Sequence, residues 1–273
     1  MNIVTPYSIN LGGKLVELTE PQVMGILNVT PDSFYADSRK QTEEAIANRV
    51  QQIVAEGALI VDVGACSTRP GGELADGVEE CRRLKFALEI IRREVPGAIL
   101  SVDTFRADVA KMAVEEYGVA IVNDISGGTD EDMFPMVARL GVPYVLTHNG
   151  PLGNSIGEMM HTLSIAIGRL ADLGQKDIII DPGFGFGKSM DENYQVLAHL
   201  DELRAMGMPI LVGLSRKRMA YQLLGTTPQK ALNGTSVLHT LALERGAHLL
   251  RVHDVAAANE VIKIVKQCSC HSA

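Results

Sequence analysis

Three hydrogen-bonding side chains of similar length end apolar runs in this sequence, and their types suit recognition of a flat, nitrogen-rich ring. Asp103 ends the run AILSVD, Asn123 ends VAIVN and Asp181 ends DIIID. A carboxylate accepts two parallel N–H bonds from an aminopyrimidinone edge, whereas an amide both donates and accepts. This combination predicts a site for a heterocycle that carries N–H donors and ring acceptors.

Basic side chains follow other apolar runs. Lys217, Arg251 and His253 come after runs near the C-terminus, and Thr68 and Arg69 belong to a Pro-Gly-Gly loop, STRPGG. Guanidinium, ammonium and hydroxyl groups are common ligands of phosphate and pyrophosphate. Together with the acceptors, they predict a ligand that joins a polar ring to an anionic group.

The glycine-rich stretch GFGFGKS (183–189) is similar to a phosphate-binding loop but lacks its defining positions. A Walker A motif needs a glycine where this chain has Pro182, and a dinucleotide-binding motif needs one at Lys188. We therefore interpret the stretch as a turn that allows close backbone approach to a ligand and directs Phe184 or Phe186.

The elements that would bring these side chains together are indicated by eight apolar runs with helical patterns between them. The runs are MGIL, LIVDVG, AILSVDT, VAIVND, VPYVLTH, DIIIDPG, PILVGLS and AHLLRVHD. Strand alternating with helix, at about thirty residues per unit, is typical of an α/β fold of the (β/α)8 TIM barrel type, in which all C-terminal strand ends converge on one face. An open doubly wound sheet is the alternative, but the even spacing favours closure.

The chain shows no linker, charge block or low-complexity segment, so a single domain is predicted over residues 1–273. Residues 1–20 are predicted to be an N-terminal extension and 268–273 a mobile tail. The net charge of −8 argues against a nucleic-acid or membrane-surface partner. No secretory signal or membrane-spanning run is visible, so we expect a cytoplasmic protein with reduced cysteines.

Seven motifs, in order and over nearly the whole chain, resemble those of the dihydropteroate synthase family. They are MGILNVTPDSF (24–34), STRPG (67–71), SVDT (101–104), NDISGG (123–128), DPGFGFGK (181–188), SRK (215–217) and RVHDV (251–255). The resemblance implies a barrel that usually forms a homodimer. It also implies an Mg²⁺-dependent transferase of folate synthesis, which condenses 6-hydroxymethyl-7,8-dihydropterin pyrophosphate with p-aminobenzoate to give 7,8-dihydropteroate and pyrophosphate.

The resemblance also implies roles for individual residues. The pterin pocket would consist of Asp103, Asn123, Asp181, Lys217 and Arg251. The residues implied to be catalytic are Asp103, Asp181, Lys217 and Arg251. The pyrophosphate site would consist of Asn28, Thr68, Arg69, Arg251 and His253. The Mg²⁺ ligands would be Asn28 and Asp32. The residues around p-aminobenzoate would be Phe34, Pro70, Phe186 and Ser215.

Departures from the family pattern leave two alternatives open. The first loop continues with YADSRK, where many relatives have a Ser-Asp-Gly-Gly type of turn. The chain could therefore be a catalytically silent pterin-binding paralogue, or the pterin-binding module of a corrinoid-dependent methyltransferase. The STRPG loop and the Arg251–His253 pair favour the synthase. Its expected mechanism is SN1-like, with a pterin cation stabilised by Asp103 and Asp181.

Overall fold

The computed structural model describes residues 4–30, 39–66 and 75–271. Five residues with predicted roles lie outside these ranges: Asp32, Phe34, Thr68, Arg69 and Pro70. Their assignments stay predictions.

Within the described ranges, ten strands form two sheets. The hairpin sheet consists of β1 (Tyr7–Leu11) and β2 (Lys14–Leu18). The central sheet consists of β3 (Gln22–Asn28), β4 (Ile60–Gly64), β5 (Ile99–Asp103), β6 (Ile121–Asp124), β7 (Tyr144–Thr147), β8 (Ile178–Asp181), β9 (Leu211–Val212) and β10 (Leu249–Val252). All eight strands of this sheet coincide with the apolar runs of the sequence.

The central sheet closes into a barrel. Its strands follow the order β8-β7-β6-β5-β4-β3-β10-β9, and every neighbouring pair is parallel. A parallel bridge between Ile180 and Ile210 joins the two edge strands. The predicted TIM barrel is therefore confirmed, and the open doubly wound sheet is excluded.

The hairpin covers the end of the barrel at which the strands begin. Ile9, Leu11 and Leu18 are buried against the first residues of the barrel strands, among them Met24 and Val145. The predicted N-terminal extension thus supplies apolar side chains that seal this end. Polar residues end several strands at the opposite end of the barrel.

Helices surround the barrel. They are α1 (Arg39–Ala55), α2 (Gly77–Glu94), α3 (Ala107–Tyr117), α4 (Met133–Leu140), α5 (Ile156–Asp172), α6 (Met190–Ala198), α7 (Arg218–Tyr221), α8 (Leu232–Glu244) and α9 (Val255–Ser269). Gly118 and Gly141 end α3 and α4 in the left-handed conformation that glycine adopts without strain. No helix in the described ranges is both long and apolar enough to cross a membrane.

The helical pattern of residues 192–206 does not form one helix. After α6 ends, a 3-10 helix spans Leu200–Met206. Residues three apart lie on the same side of a 3-10 helix, which lets Leu200 and Leu203 both enter the core. Because either helix type can bury these leucines, the sequence does not distinguish the two.

Candidate active site

The C-terminal strand ends form a continuous polar row. In the strand register Asn28 lies beside Gly64, Gly64 beside Asp103, and Asp103 beside Asn123. Asp181 ends β8 on the far side of β7. The row brings predicted ligand-binding residues from four strands to one rim, as barrel geometry requires.

A half-buried guanidinium holds the acidic part of this rim together. Nε of Arg251 donates to Oδ2 of Asp62 at 2.6 Å, and a terminal nitrogen of the same guanidinium pairs with Oδ2 of Asp103. The amide nitrogen of Asn123 donates to the same Asp62 oxygen at 3.0 Å. We call Arg251, Asp62, Asp103 and Asn123 the Arg251 cluster. It connects strands β4, β5, β6 and β10.

Burial alters the charge of the cluster. It raises the pKa of Asp103 to about 7, although the Arg251 guanidinium opposes the shift, and the nearby charge of Asp62 adds to it. The pKa of Asp181 is also raised by burial. The pKa of Arg251 is raised by the two carboxylates, which outweigh its burial. One cation therefore faces two carboxyl groups, and Asp103 holds a proton part of the time near neutral pH.

A narrow cleft opens beside the cluster. Its polar and aromatic wall consists of Asn123, Asp181, Phe186, Lys217 and Arg251. Its remaining wall consists of Ile125, Phe184 and Gly213. Amide, carboxylate, ammonium, guanidinium and ring groups thus meet in one place, which is the chemistry expected for a polar heterocycle.

Lys217 is fixed inside the cleft. Its Nζ donates to the carbonyl oxygen of Phe184 at 2.6 Å and lies 4.3 Å from the centre of the Phe186 ring. Burial lowers the pKa of Lys217 to about 8, with Asp181 opposing the shift. A Cβ on Gly185 would lie 3.3 Å from Cδ of Lys217, so glycine lets the lysine pass close to this turn.

The SRK turn aims two side chains at the mouth. Arg216, between Ser215 and Lys217, has a φ of 53° and is the one non-glycine residue of the described ranges with positive φ. Its guanidinium points away from the mouth and donates two hydrogen bonds of 2.8 Å to the Asp254 carboxylate. The strained turn is thus held by an ion pair.

Ser215 and His253 lie next to each other at the neighbouring strand ends. Oγ of Ser215 is 3.1 Å from Nδ1 of His253 and accepts from the His253 backbone nitrogen at 3.2 Å. Arg49 donates to the His253 carbonyl at 2.5 Å. These contacts fix the backbone and the ring of His253 at the rim, where an anion donor was predicted.

The GFGFGKS stretch is structural. Nζ of Lys188 donates to the carbonyls of His148, Gly183 and Phe186 at 3.0, 3.1 and 3.3 Å. A Cβ on Gly183 would lie 2.1 Å from the His148 oxygen, so only glycine fits there. The turn brings Phe184 and Phe186 to the cleft, as predicted, and its glycines pack closely against the chain's own backbone and Lys217. Its approach to a ligand stays a prediction.

Of the two predicted Mg²⁺ ligands, Asn28 lies within the described ranges and Asp32 does not. Its side chain is half-buried beside Asp103, and no residue of the described ranges hydrogen-bonds to its amide. An uncommitted amide oxygen at the rim is a suitable ligand for Mg²⁺, which prefers oxygen and keeps several ligands from substrate or water. Within the described ranges no group of three or more His, Cys, Asp or Glu forms a metal site.

A larger cavity, of about 630 Å³, lies between α1 and α2. Most of its charged lining is paired: Glu79 binds Arg82 and Arg83, and Lys85 binds Glu116. Glu89, also in the lining, accepts a hydrogen bond from the Tyr117 hydroxyl at 3.4 Å.

The structure thus places the predicted residues of its described ranges at one end of the barrel. Asn123, Asp181, Phe186, Lys217 and Arg251 line the cleft. Asp103 contacts Arg251 at its edge, and Asn28, Ser215 and His253 lie at neighbouring strand ends. One residue received no role from the sequence: Asp62, whose carboxylate lies inside the apolar run LIVDVG.

Comparison with known proteins agrees with this geometry. A family model described as "Pterin binding enzyme" matches residues 24–253. The dihydropteroate synthase of Streptococcus pyogenes serotype M3 is 36% identical over 264 residues, covering 93% of this chain and 98% of the relative. The chain belongs to the dihydropteroate synthase family. The Bacillus subtilis member of this family is 36% identical over 251 residues, covering 89% of this chain and 87% of the relative.

Solved dihydropteroate synthases have the same fold. The Xanthomonas albilineans enzyme with 4-aminobenzoic acid has a TM-score of 0.90 and 38% identity, and the match covers 98% of this chain and 100% of that one. The same enzyme in complex with 7,8-dihydropteroate has a TM-score of 0.84 and 35% identity, covering 97% and 99%. Both confirm the barrel over nearly the whole length.

The raised pKa of Asp103 predicts a pH-dependent stability. A carboxyl group that holds its proton more tightly when folded stabilises the fold below its unfolded pKa, about 4, and this contribution is lost as the pH rises to about 7. We expect the unfolding free energy of the wild type, relative to Asp103→Asn, to fall by up to about 1.4 kcal/mol per pH unit in this window and then level off. Urea unfolding of both proteins across this range measures it. A difference that does not change with pH would mean that Asp103 is ionised throughout.

Proposed function

We propose that this chain condenses 6-hydroxymethyl-7,8-dihydropterin pyrophosphate with p-aminobenzoate, giving 7,8-dihydropteroate and pyrophosphate in folate synthesis. The observation that carries the proposal is the convergence of Asn123, Asp181, Lys217 and Arg251 on one cleft, with Asp103 at its edge. Structures of solved relatives contain 4-aminobenzoic acid and 7,8-dihydropteroate. These ligands contain the ring and the arylamine that the reaction joins.

Hydrogen-bond acceptors would recognise the pterin ring. Asn123 gives an N–H to Asp62, and no described residue donates to its amide oxygen, which is therefore available to a ring N–H. Oδ1 of Asp181 accepts from the backbone nitrogen of Gly183 at 2.7 Å, and the other oxygen has no donor among the described residues. The flat surfaces of Arg251 and Phe186 line the same cleft and suit the faces of a ring.

The reaction would proceed by dissociation. The bond between the pterin methylene carbon and the pyrophosphate oxygen breaks, and its electron pair leaves with the pyrophosphate. The positive charge left on the methylene and ring faces Asp103 and Asp181, whose negative charge stabilises it. The arylamine nitrogen then forms a bond with the methylene carbon and releases one proton. No protein nucleophile is needed.

The leaving anion would be bound at the basic side of the rim. Arg251 and His253, which both lie at the rim, would donate to it, and Thr68 and Arg69 stay predictions for the same role. Mg²⁺, held by Asn28 and by Asp32, would neutralise charge on the pyrophosphate when bound. Asn28 and Asp103 flank Gly64 at the ends of β3 and β5, so the two ends of the breaking bond would be served by two strand ends with a glycine between them.

A pyrophosphate-release assay tests the activity. We expect release only when the pterin pyrophosphate, p-aminobenzoate and Mg²⁺ are all present, and loss of release on chelation with EDTA. Asp103→Asn is expected to lower kcat by at least about a hundredfold, since it removes charge that stabilises the cation. Asp108→Asn, the same change at an exposed position of α3, serves as the control.

A chain that binds the pterin substrate but releases no pyrophosphate would contradict the proposal. Such a result would instead identify a silent pterin-binding paralogue or a methyltransferase module. Near-normal kcat for Asp103→Asn would remove that residue from cation stabilisation while leaving the activity in place.

We also propose a cytoplasmic homodimer. Five large apolar side chains between residues 223 and 264 are exposed, namely Leu223, Leu224, Leu232, Val237 and Ile264. They come from α8, α9 and the segment before α8. The four free cysteines are consistent with a reducing compartment.

Sedimentation velocity tests the dimer. Val237→Glu puts a charge on a side chain that is 53% exposed, and we expect it to convert a wild-type dimer into monomer because the charge would be buried in the interface. Leu15→Glu, at a side chain 72% exposed on the hairpin, should leave the dimer intact. A monomeric wild type at micromolar concentration, or equal behaviour of the two variants, would contradict the proposal.

A further inference from the structure

We propose that Asp62 is a positioning residue for pterin recognition, which acts by fixing the Asn123 amide and the Arg251 guanidinium. The inference rests on the proposed function. Asp62 itself does not line the cleft, whereas both side chains that it binds do. Any effect of Asp62 on the ligand therefore passes through Asn123 and Arg251.

The geometry gives Asp62 this position. Its side chain is fully buried on β4, with 0% exposure, whereas that of Asp103 is 19% exposed. A single oxygen, Oδ2, accepts from Arg251 at 2.6 Å and from Asn123 at 3.0 Å. Within the described ranges Asp62 has no other hydrogen-bonding partner, so its whole role is to hold these two cleft residues.

The bond to Asp62 decides which end of the Asn123 amide faces a ligand. An asparagine amide can be turned by about 180° at little cost unless a partner distinguishes oxygen from nitrogen. A carboxylate only accepts, so it selects the orientation in which the Asn123 nitrogen points toward Asp62. The amide oxygen on the other arm is then presented as an acceptor. Asp62 would thereby select ligands with a ring N–H at this position over ligands with a ring acceptor.

Stability alone does not explain a carboxylate at this position. Oδ1 of Asp62 is buried without a hydrogen-bonding partner in the described part of the chain. Burying a carboxylate and leaving one oxygen unpaired is costly, and an apolar side chain at such a position is often as stable or more so. The carboxylate offsets this cost by orienting two ligand-binding side chains, those of Asn123 and Arg251.

A double-mutant cycle tests the inference. The four proteins are the wild type, Asp62→Asn, Asn123→Ala and the double variant. Calorimetric titration with 6-hydroxymethylpterin gives the pterin affinity, and steady-state kinetics give KM for each substrate. We expect Asp62→Asn to weaken pterin binding about tenfold, since its amide no longer dictates the orientation of Asn123, and to change KM for p-aminobenzoate less than about twofold.

The cycle separates positioning from a general loss of structure. If Asp62 acts through Asn123, Asp62→Asn costs less affinity in the Asn123→Ala background than in the wild type. Glu80→Gln is the matched control, because Glu80 is equally buried and pairs with an arginine, Arg106, that does not line the cleft. It should change thermal stability but leave pterin affinity within about twofold of the wild type.

Several results would overturn the inference. Wild-type pterin affinity in Asp62→Asn, an equal loss in Glu80→Gln, or full additivity in the cycle would each do so. If Asp62→Asn does not fold, a pterin complex of the wild type decides, because an Asn123 oxygen turned toward Asp62 contradicts the proposal. A wild type that neither binds pterin nor releases pyrophosphate would overturn the proposed function instead, and the inference with it.

Discussion

The guanidinium of Arg251, buried between Asp62 and Asp103, is the interaction on which the arrangement of the mouth depends. Two carboxylates so close together would repel each other and lose their hydration, and neither cost is acceptable inside a barrel without a cation. Arg251 reaches both from a third strand, and Asn123 adds a fourth. The Arg251 cluster is therefore a connected network of side chains from four strands, whereas Asp181 and Lys217 are held by backbone groups.

Apolar packing at one end of the barrel offsets the free-energy cost of this polar network at the other end. At the end where the strands begin, the hairpin seals a layer of aliphatic side chains such as Ile9 and Met24, which contributes stability without polar cost. At the other end the same strands finish in groups that shift each other's pKa. Lys217 has its pKa lowered and Asp103 has its pKa raised, both chiefly by burial. Such opposed shifts are typical of sites that bind charged or polar ligands.

Much of this arrangement follows from the sequence, for physical reasons. Parallel strands covered on both faces must be continuously apolar, so all eight were visible, and barrel geometry then placed Asp103, Asn123 and Asp181 at one rim. The helix type after α6 could not be predicted, because a 3-10 helix and an α-helix can bury the same leucines. The glycines of GFGFGKS have close partners, His148 and Lys217, that only the folded chain brings near.

The contacts of Asp62 are the feature of the site that could least be predicted from the sequence. A carboxylate in the run LIVDVG indicates a strand end facing water, but the strand continues past it, and the side chain turns inward beneath the rim. Its partners lie 61 and 189 positions away, at Asn123 and Arg251. No local pattern encodes such a contact, whereas the strand register brings the three residues together.

The central claim, that one guanidinium keeps the acidic rim folded, is tested most directly by the unfolding free energy of Arg251→Met. This change keeps an unbranched, flexible side chain, although a shorter one, and removes the charge. Near pH 8 the account predicts a loss of about 3–5 kcal/mol, because two carboxylates are left without their cation, and a smaller loss near pH 5, where Asp103 takes up a proton. Urea unfolding that finds Arg251→Met as stable as the wild type near pH 8 would contradict it.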